Sequence, residues 1–131
     1  PKQEYLDVFL KEYDCKVVIK DNEYIFYGKS AHAMQPHLGK NAIYYMSLFM
    51  EKYYPCQMAS FIVESFDNNG EKLGIYVNDK YMHELTVNLG ICHYNDKKLV
   101  LGYNLRVPLD EHIDVIKEGF NNGLEEYSNL F

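Results

Sequence analysis

Leu85-Thr86-Val87-Asn88-Leu89-Gly90-Ile91-Cys92-His93-Tyr94-Asn95-Asp96-Lys97-Lys98-Leu99-Val100-Leu101-Gly102-Tyr103-Asn104-Leu105-Arg106-Val107-Pro108 is the stretch from which the fold is read. Leu85, Val87, Leu89 and Ile91 alternate with polar or small residues, and so do Leu99, Leu101, Tyr103, Leu105 and Val107. A period of two is that of a strand with one buried face, because successive side chains point to opposite sides of the pleat. Asn95-Asp96-Lys97 supplies the turn. With the turn centred on Asp96, the two apolar sets lie opposite each other in an antiparallel pair. The same register gathers Thr86, Asn88, Asn104 and Arg106 on the other face, and a slip of one residue would bury Arg106 among leucines.

Upstream, Lys16–Lys20 and Glu23–Gly28 form a second hairpin pattern around Asp21-Asn22, two residues that tolerate the positive φ of a two-residue turn. Leu6, Phe9, Leu10 and Tyr13 fall at helical spacing and predict a short amphipathic helix over Gln3–Tyr13. From Ala42 the apolar positions Ile43, Met46, Phe49, Met50 and Tyr53 repeat at helical spacing until Pro55 stops the helix. Ala59, Ile62, Val63 and Phe66 mark a shorter helix closing in Asp67-Asn68-Asn69-Gly70, and Glu71–Lys80 reads as irregular. After Pro108, Asp110 is an N-cap candidate, and Ile113, Ile116, Phe120 and Tyr127 share a stripe that Gly119 and Gly123 weaken, so fraying is expected near Gly123. The order helix, hairpin, two helices, hairpin, helix predicts an α+β sandwich, a four-stranded antiparallel sheet with helices packed on one face.

Composition narrows the function. The chain has 131 residues, 47% of them hydrophobic, enough for one domain with its own core. No apolar run approaches the roughly 20 residues of a membrane span, no basic-then-apolar leader opens the chain, and a cytoplasmic setting is the expectation. A net charge of -6 with acids and bases interspersed argues against nucleic-acid binding. There are 13 tyrosines and no tryptophan, and the tyrosines are not interleaved with basic runs, which favours packing over base stacking. Cys15, Cys56 and Cys92 are odd in number and far apart, a pattern of neither a disulfide framework nor a Cys-x-x-Cys site.

One loop stands out. Tyr24-Ile25-Phe26-Tyr27 ends at Gly28, the following bend carries His32, Pro36 and Gly39, and Asn41 can cap the next helix. His32 is therefore placed on a loop between rigid elements. From spacing alone it is more often a solvated side chain than a functional one.

Self-contained chemistries find no support. His83-Glu84 lacks the second histidine of a helical zinc-protease motif, and His32 and His37 are five apart in a loop, while His93 and His112 fall on other elements. Ser30 and Ser60 lack the Gly-x-Ser-x-Gly elbow. Asp110-Glu111 and Glu125-Glu126 are adjacent in sequence, which on a helix points their carboxylates apart. No metal site is expected in this chain.

Two motifs in order carry a resemblance. Gly28-x-x-x-His32 with Pro36, Gly39 and Asn41-Ala42, followed by Leu85–Gly90 and Tyr103-Asn104-Leu105-Arg106-Val107-Pro108, resembles the second domain of the aminoacylase and carboxypeptidase G family of zinc peptidases, above all its bacterial dipeptidase branch. The likeness runs from about Cys15 to Glu118. Ala33, Met34, Gln35 and Val107 depart from the family's usual residues.

The resemblance implies a ferredoxin-like variant of the sandwich, and a single lid or dimerisation domain over residues 1–131, excised from a larger two-domain dipeptidase. Such a domain is inactive without the metal domain, where two zinc ions are implied. It covers a dipeptide substrate, joins the catalytic zinc domain of the same polypeptide and can form a homodimer. His32 would stabilise the oxyanion of the tetrahedral intermediate, Arg106 would clamp the substrate carboxylate with its planar fork, and Asn104 and Asn88 would be supporting polar groups. The competing reading is a stand-alone binding or dimerisation module that uses the edge of the sheet.

Overall fold

The computed structural model describes residues 1–29, 40–76, 78–79, 83–95, 98–107 and 113–125. The first unit is α1 (Gln3–Glu12), β1 (Lys16–Lys20) and β2 (Glu23–Tyr27). Asp21 and Asn22 make the turn with φ of 52° and 65°, the left-handed pair that matches the twist of a two-residue hairpin. Val17 pairs with Phe26 and Ile19 with Tyr24, so one face of the hairpin is apolar. That face meets Leu6 and Phe9 of α1, both buried, and Phe49 of α2 (Ala42–Tyr53). The contact is mostly aromatic: Phe49 lies edge-on to Phe9 at 5.3 Å and to Tyr24 at 4.8 Å, and Tyr5 stacks on Tyr53 at 4.5 Å. Much of the tyrosine content is thus packing, as its separation from basic runs suggested.

The second core lies under the late hairpin. After α3 (Gln57–Ser65) the chain turns through Asp67, whose carboxylate accepts from the Gly70 and Lys72 amides at 2.6 and 2.9 Å. Met58, Phe61, Ile62 and Phe66 pack against Leu73, Ile75, Leu85, Val87, Leu89 and Ile116, the last on α4 (Ile113–Glu125). The stretch Glu71–Lys80, expected to be irregular, therefore supplies Leu73 and Ile75 to the core. It also contains β3 (Asn78–Asp79), which pairs with β4 (His83–Glu84), a two-residue ladder that periodicity could not reveal.

The long hairpin is β5 (Thr86–Asn95) and β6 (Lys98–Arg106). Thr86 pairs with Arg106, Val87 with Leu105, Asn88 with Asn104 and Leu89 with Tyr103, while at the closed end Asn95 pairs with Lys98, one residue out of the register that a turn centred on Asp96 predicts. Beyond Leu89 the register shifts at a bulge, and the expectation is corrected there. Ile91 pairs with Gly102 and is 53% exposed, while Cys92 takes the inner position opposite Leu101 and packs against the core. An extra residue at Gly90 reverses the alternation, as bulges do. Gly102 makes room for the displaced side chain, since a Cβ there would sit 2.9 Å from that of Ile91.

The α+β class holds, but the single four-stranded sheet does not. Among the described residues the strands pair as separate two-stranded sheets, β1 with β2, β3 with β4 and β5 with β6. The free edge of β5 is partly occupied by other groups. The Val87 amide donates to the Asn68 carbonyl at 2.8 Å, and the Leu89 carbonyl accepts from the Asn41 side chain at 2.8 Å. Two positions that a third strand would need are already bonded.

The last helix also departs from expectation. It runs unbroken through Gly119 and Gly123 to Glu125. A Cβ at Gly119 would lie 2.8 Å from Cγ2 of buried Ile75, and one at Gly123 would lie 3.0 Å from the Leu73 carbonyl oxygen. These glycines are the positions where the Leu73–Ile75 segment rests on the helix. Asp110 and Tyr127 lie outside the described residues. No helix among the described residues is long and apolar enough to cross a membrane.

Candidate functional site

The site is assembled from the two stretches singled out in the sequence. At the end of β2 the chain passes Gly28 to Lys29, which forms an antiparallel bridge with Lys40: Lys29 N donates to Lys40 O at 2.9 Å and Lys40 N to Lys29 O at 2.8 Å. A Cβ at Gly28 would come within 2.8 Å of the Lys40 carbonyl oxygen, so the close return of the chain requires glycine or a local shift. The bridge fixes the foot of the excursion that carries His32. His32 itself lies outside the described residues, as do His37, Pro36 and Gly39.

Immediately after the bridge, Asn41 caps α2. Its Oδ1 accepts from the Tyr44 amide at 2.9 Å, and its Nδ2 reaches β5, donating to the Leu89 carbonyl at 2.8 Å and to Asn88 Oδ1 at 3.3 Å. One side chain therefore closes a helix terminus and ties it to the long hairpin. Sequence reasoning identified the cap; the link to β5 carried no sequence signal, because it joins residues 48 positions apart.

Between these elements lies an open cleft of about 360 Å³, lined by Gly28, Lys29, Asn41, Asn88 and Gly90 among others. Lys40 also lines it, with Nζ 3.4 Å from Asp14 Oδ2. The α2 amide terminus and Lys29 on its rim make the cleft a favourable place for negative charge, while Lys40 is paired with Asp14.

The pairs Thr86–Arg106 and Asn88–Asn104 bring the expected polar group together on the outer face of the hairpin. Asn88, Asn104 and Arg106 are exposed and Thr86 is half-buried. Arg106 has no ion pair with an acid among the described residues, so its guanidinium is not committed there to a structural bridge. No three His, Cys, Asp or Glu side chains among the described residues are grouped so as to hold a metal ion. Cys15, Cys56 and Cys92 are free thiols; burial, and secondarily the nearby Cys56, push the Cys92 thiol up. Such a thiol is a poor nucleophile at neutral pH.

No family model matches the chain. It is 32% identical over 106 residues to "Putative dipeptidase YtjP" of Bacillus subtilis (strain 168), a match covering 76% of this chain and 23% of that protein. It is 30% identical over 108 residues, with the same coverage of each, to "Putative dipeptidase SAUSA300_1697" of Staphylococcus aureus (strain USA300). The chain is similar to one segment of these proteins. It spans 23% of their length.

Proposed function

We propose that this chain is the substrate-covering lid domain of a zinc-dependent dipeptidase, excised from a polypeptide whose separate catalytic domain holds two zinc ions. The observation that carries the reading is the cleft: Gly28, Asn41 and Ala42 come from one motif of the resemblance, Asn88, Leu89 and Gly90 from the other, and all six line it. Residues 46 or more positions apart in the chain thus meet around one space.

In this reading His32, on the excursion anchored by the Lys29–Lys40 bridge, donates to the oxyanion that forms as water attacks the scissile carbonyl. Arg106 holds the substrate's terminal carboxylate through paired N–H donors, and Asn88 and Asn104 supply further polar contacts. The zinc ions would activate the attacking water when bound in their own domain. The lid contributes binding and charge stabilisation, and a cytoplasmic enzyme with a second copy joined at the lid completes the reading. The alternative, a stand-alone module joined through a sheet edge, would use an edge other than that of β5, where Val87 and Leu89 are already bonded.

Two measurements test the proposal. The 131-residue chain alone should hydrolyse no dipeptide and retain no stoichiometric zinc after dialysis against a weak chelator; one zinc or more per chain by elemental analysis contradicts it. In the full-length polypeptide, His32→Ala should lower kcat roughly 10²- to 10³-fold with a smaller effect on KM. Unchanged turnover in a folded variant returns His32 to a surface role.

A further inference from the structure

We infer that Asn41 is a positioning residue that locks the Asn88 side chain with its NH₂ group toward the cleft, so that the ligand group Asn88 meets is an acceptor oxygen, a carboxylate or carbonyl, and not an ammonium. This rests on the proposal that the cleft receives a dipeptide.

The orientation follows from donors and acceptors alone. The Tyr44 amide can only donate, so the Asn41 atom facing it at 2.9 Å is Oδ1. Nδ2 then faces β5, where the Leu89 carbonyl, which can only accept, lies at 2.8 Å. Both ends of the Asn41 amide are thereby assigned independently and agree. The same Nδ2 lies 3.3 Å from the Asn88 amide, so the atom of Asn88 turned to it is Oδ1. Asn88 is left with its Nδ2 directed elsewhere, beside Gly90, where a Cβ would stand 3.5 Å from it. Asn88 and Gly90 both line the cleft. Of the two ends of a dipeptide, the carboxylate and the peptide carbonyl offer acceptor oxygens that match a donor; the amino end does not.

The test uses the full-length polypeptide with ¹⁵N-labelled asparagine and a dipeptide titrated into it, following side-chain amide resonances by NMR. In wild type the Asn88 NH₂ signals should be those of an ordered group and should shift on dipeptide addition. Asn41→Ser keeps a capping hydroxyl but loses the amide donor. Its Asn88 NH₂ should become rotationally averaged, and dipeptide affinity should fall roughly two- to tenfold, the cost of ordering one side chain on binding. Asn41→Ser should add nothing further in an Asn88→Ala background. Asn88→Asp, a change at an exposed position that keeps an oxygen for Asn41, should weaken binding because it replaces the donor by an acceptor. Unchanged affinity in Asn88→Asp overturns the donor assignment, and an ordered Asn88 with unchanged affinity in Asn41→Ser overturns the positioning role, while both leave the lid reading intact. Wild-type Asn88 signals that ignore the dipeptide overturn the inference and remove Asn88 from the lid reading.

Discussion

Tyr103 carries a hydroxyl that the core does not satisfy. Its Oη is buried without a hydrogen-bond partner among the described residues; Ser65 lies nearby, but its hydroxyl donates to the Phe61 carbonyl at 2.7 Å. The ring is well used, edge-on to Phe120 at 5.0 Å. Removing an unpaired buried hydroxyl while keeping the ring should help, so Tyr103→Phe is expected to stabilise the fold by about 1 kcal/mol in chemical denaturation at neutral pH. Burial also pushes the Tyr103 phenol up to about 12. Because the folded value is raised, the phenol's contribution to stability is fully present below pH 10 and is lost as pH rises through about 12. The advantage of Tyr103→Phe over wild type should therefore widen between those limits. A variant less stable than wild type would show that the hydroxyl has a partner. At this scale the composition of the polar face was legible in advance, but the pairs Thr86–Arg106 and Asn88–Asn104 match the expected register only because the bulge offsets a turn that closes at Asn95–Lys98 and is not centred on Asp96. The second role of Asn41 was not, because its carbonyl partner comes from distant backbone.

At the scale of elements, hairpins and helices were readable where their period was uninterrupted. The β1–β2 turn, both middle helices and the first helix fall where propensity and pattern put them. Two kinds of feature escaped. The bulge at Gly90 is one extra residue in a strand whose alternation looked regular on both sides, and only the partner strand reveals it. The glycines of α4 were misjudged because propensity weighs a residue alone, whereas tertiary packing decides its worth. Alanine at either position would gain about 1 kcal/mol of helix propensity. Against that stands overpacking on Ile75, which is 4% exposed, and on the Leu73 backbone. Overpacking typically costs roughly 1–3 kcal/mol. Gly119→Ala and Gly123→Ala are thus expected to be neutral to destabilising by about 1–2 kcal/mol in urea denaturation, despite stronger helix propensity. Clear stabilisation by both would mean that the glycines only weaken the helix.

At the scale of the whole molecule, α2 is the member that joins the two cores: Phe49 sits among the aromatics of α1 and β2, and Asn41 at its start reaches the long hairpin. The α+β class was legible from element order, but the separation of the hairpins into distinct two-stranded sheets was not, since nothing local announces that Asn68 and Asn41 occupy the edge of β5. The arrangement leaves one polar face of β5–β6 and one cleft beside it free to meet a ligand, and the central claim is that this face reads the free carboxylate of a dipeptide through Arg106. The direct measurement is kcat/KM of the full-length polypeptide for a dipeptide and for its C-terminal amide, in wild type and Arg106→Ala. Wild type should prefer the free acid, and Arg106→Ala should lose most of that preference, on the order of 2 kcal/mol or about thirtyfold, with folding intact. A folded Arg106→Ala enzyme that still separates acid from amide as wild type does would contradict the account.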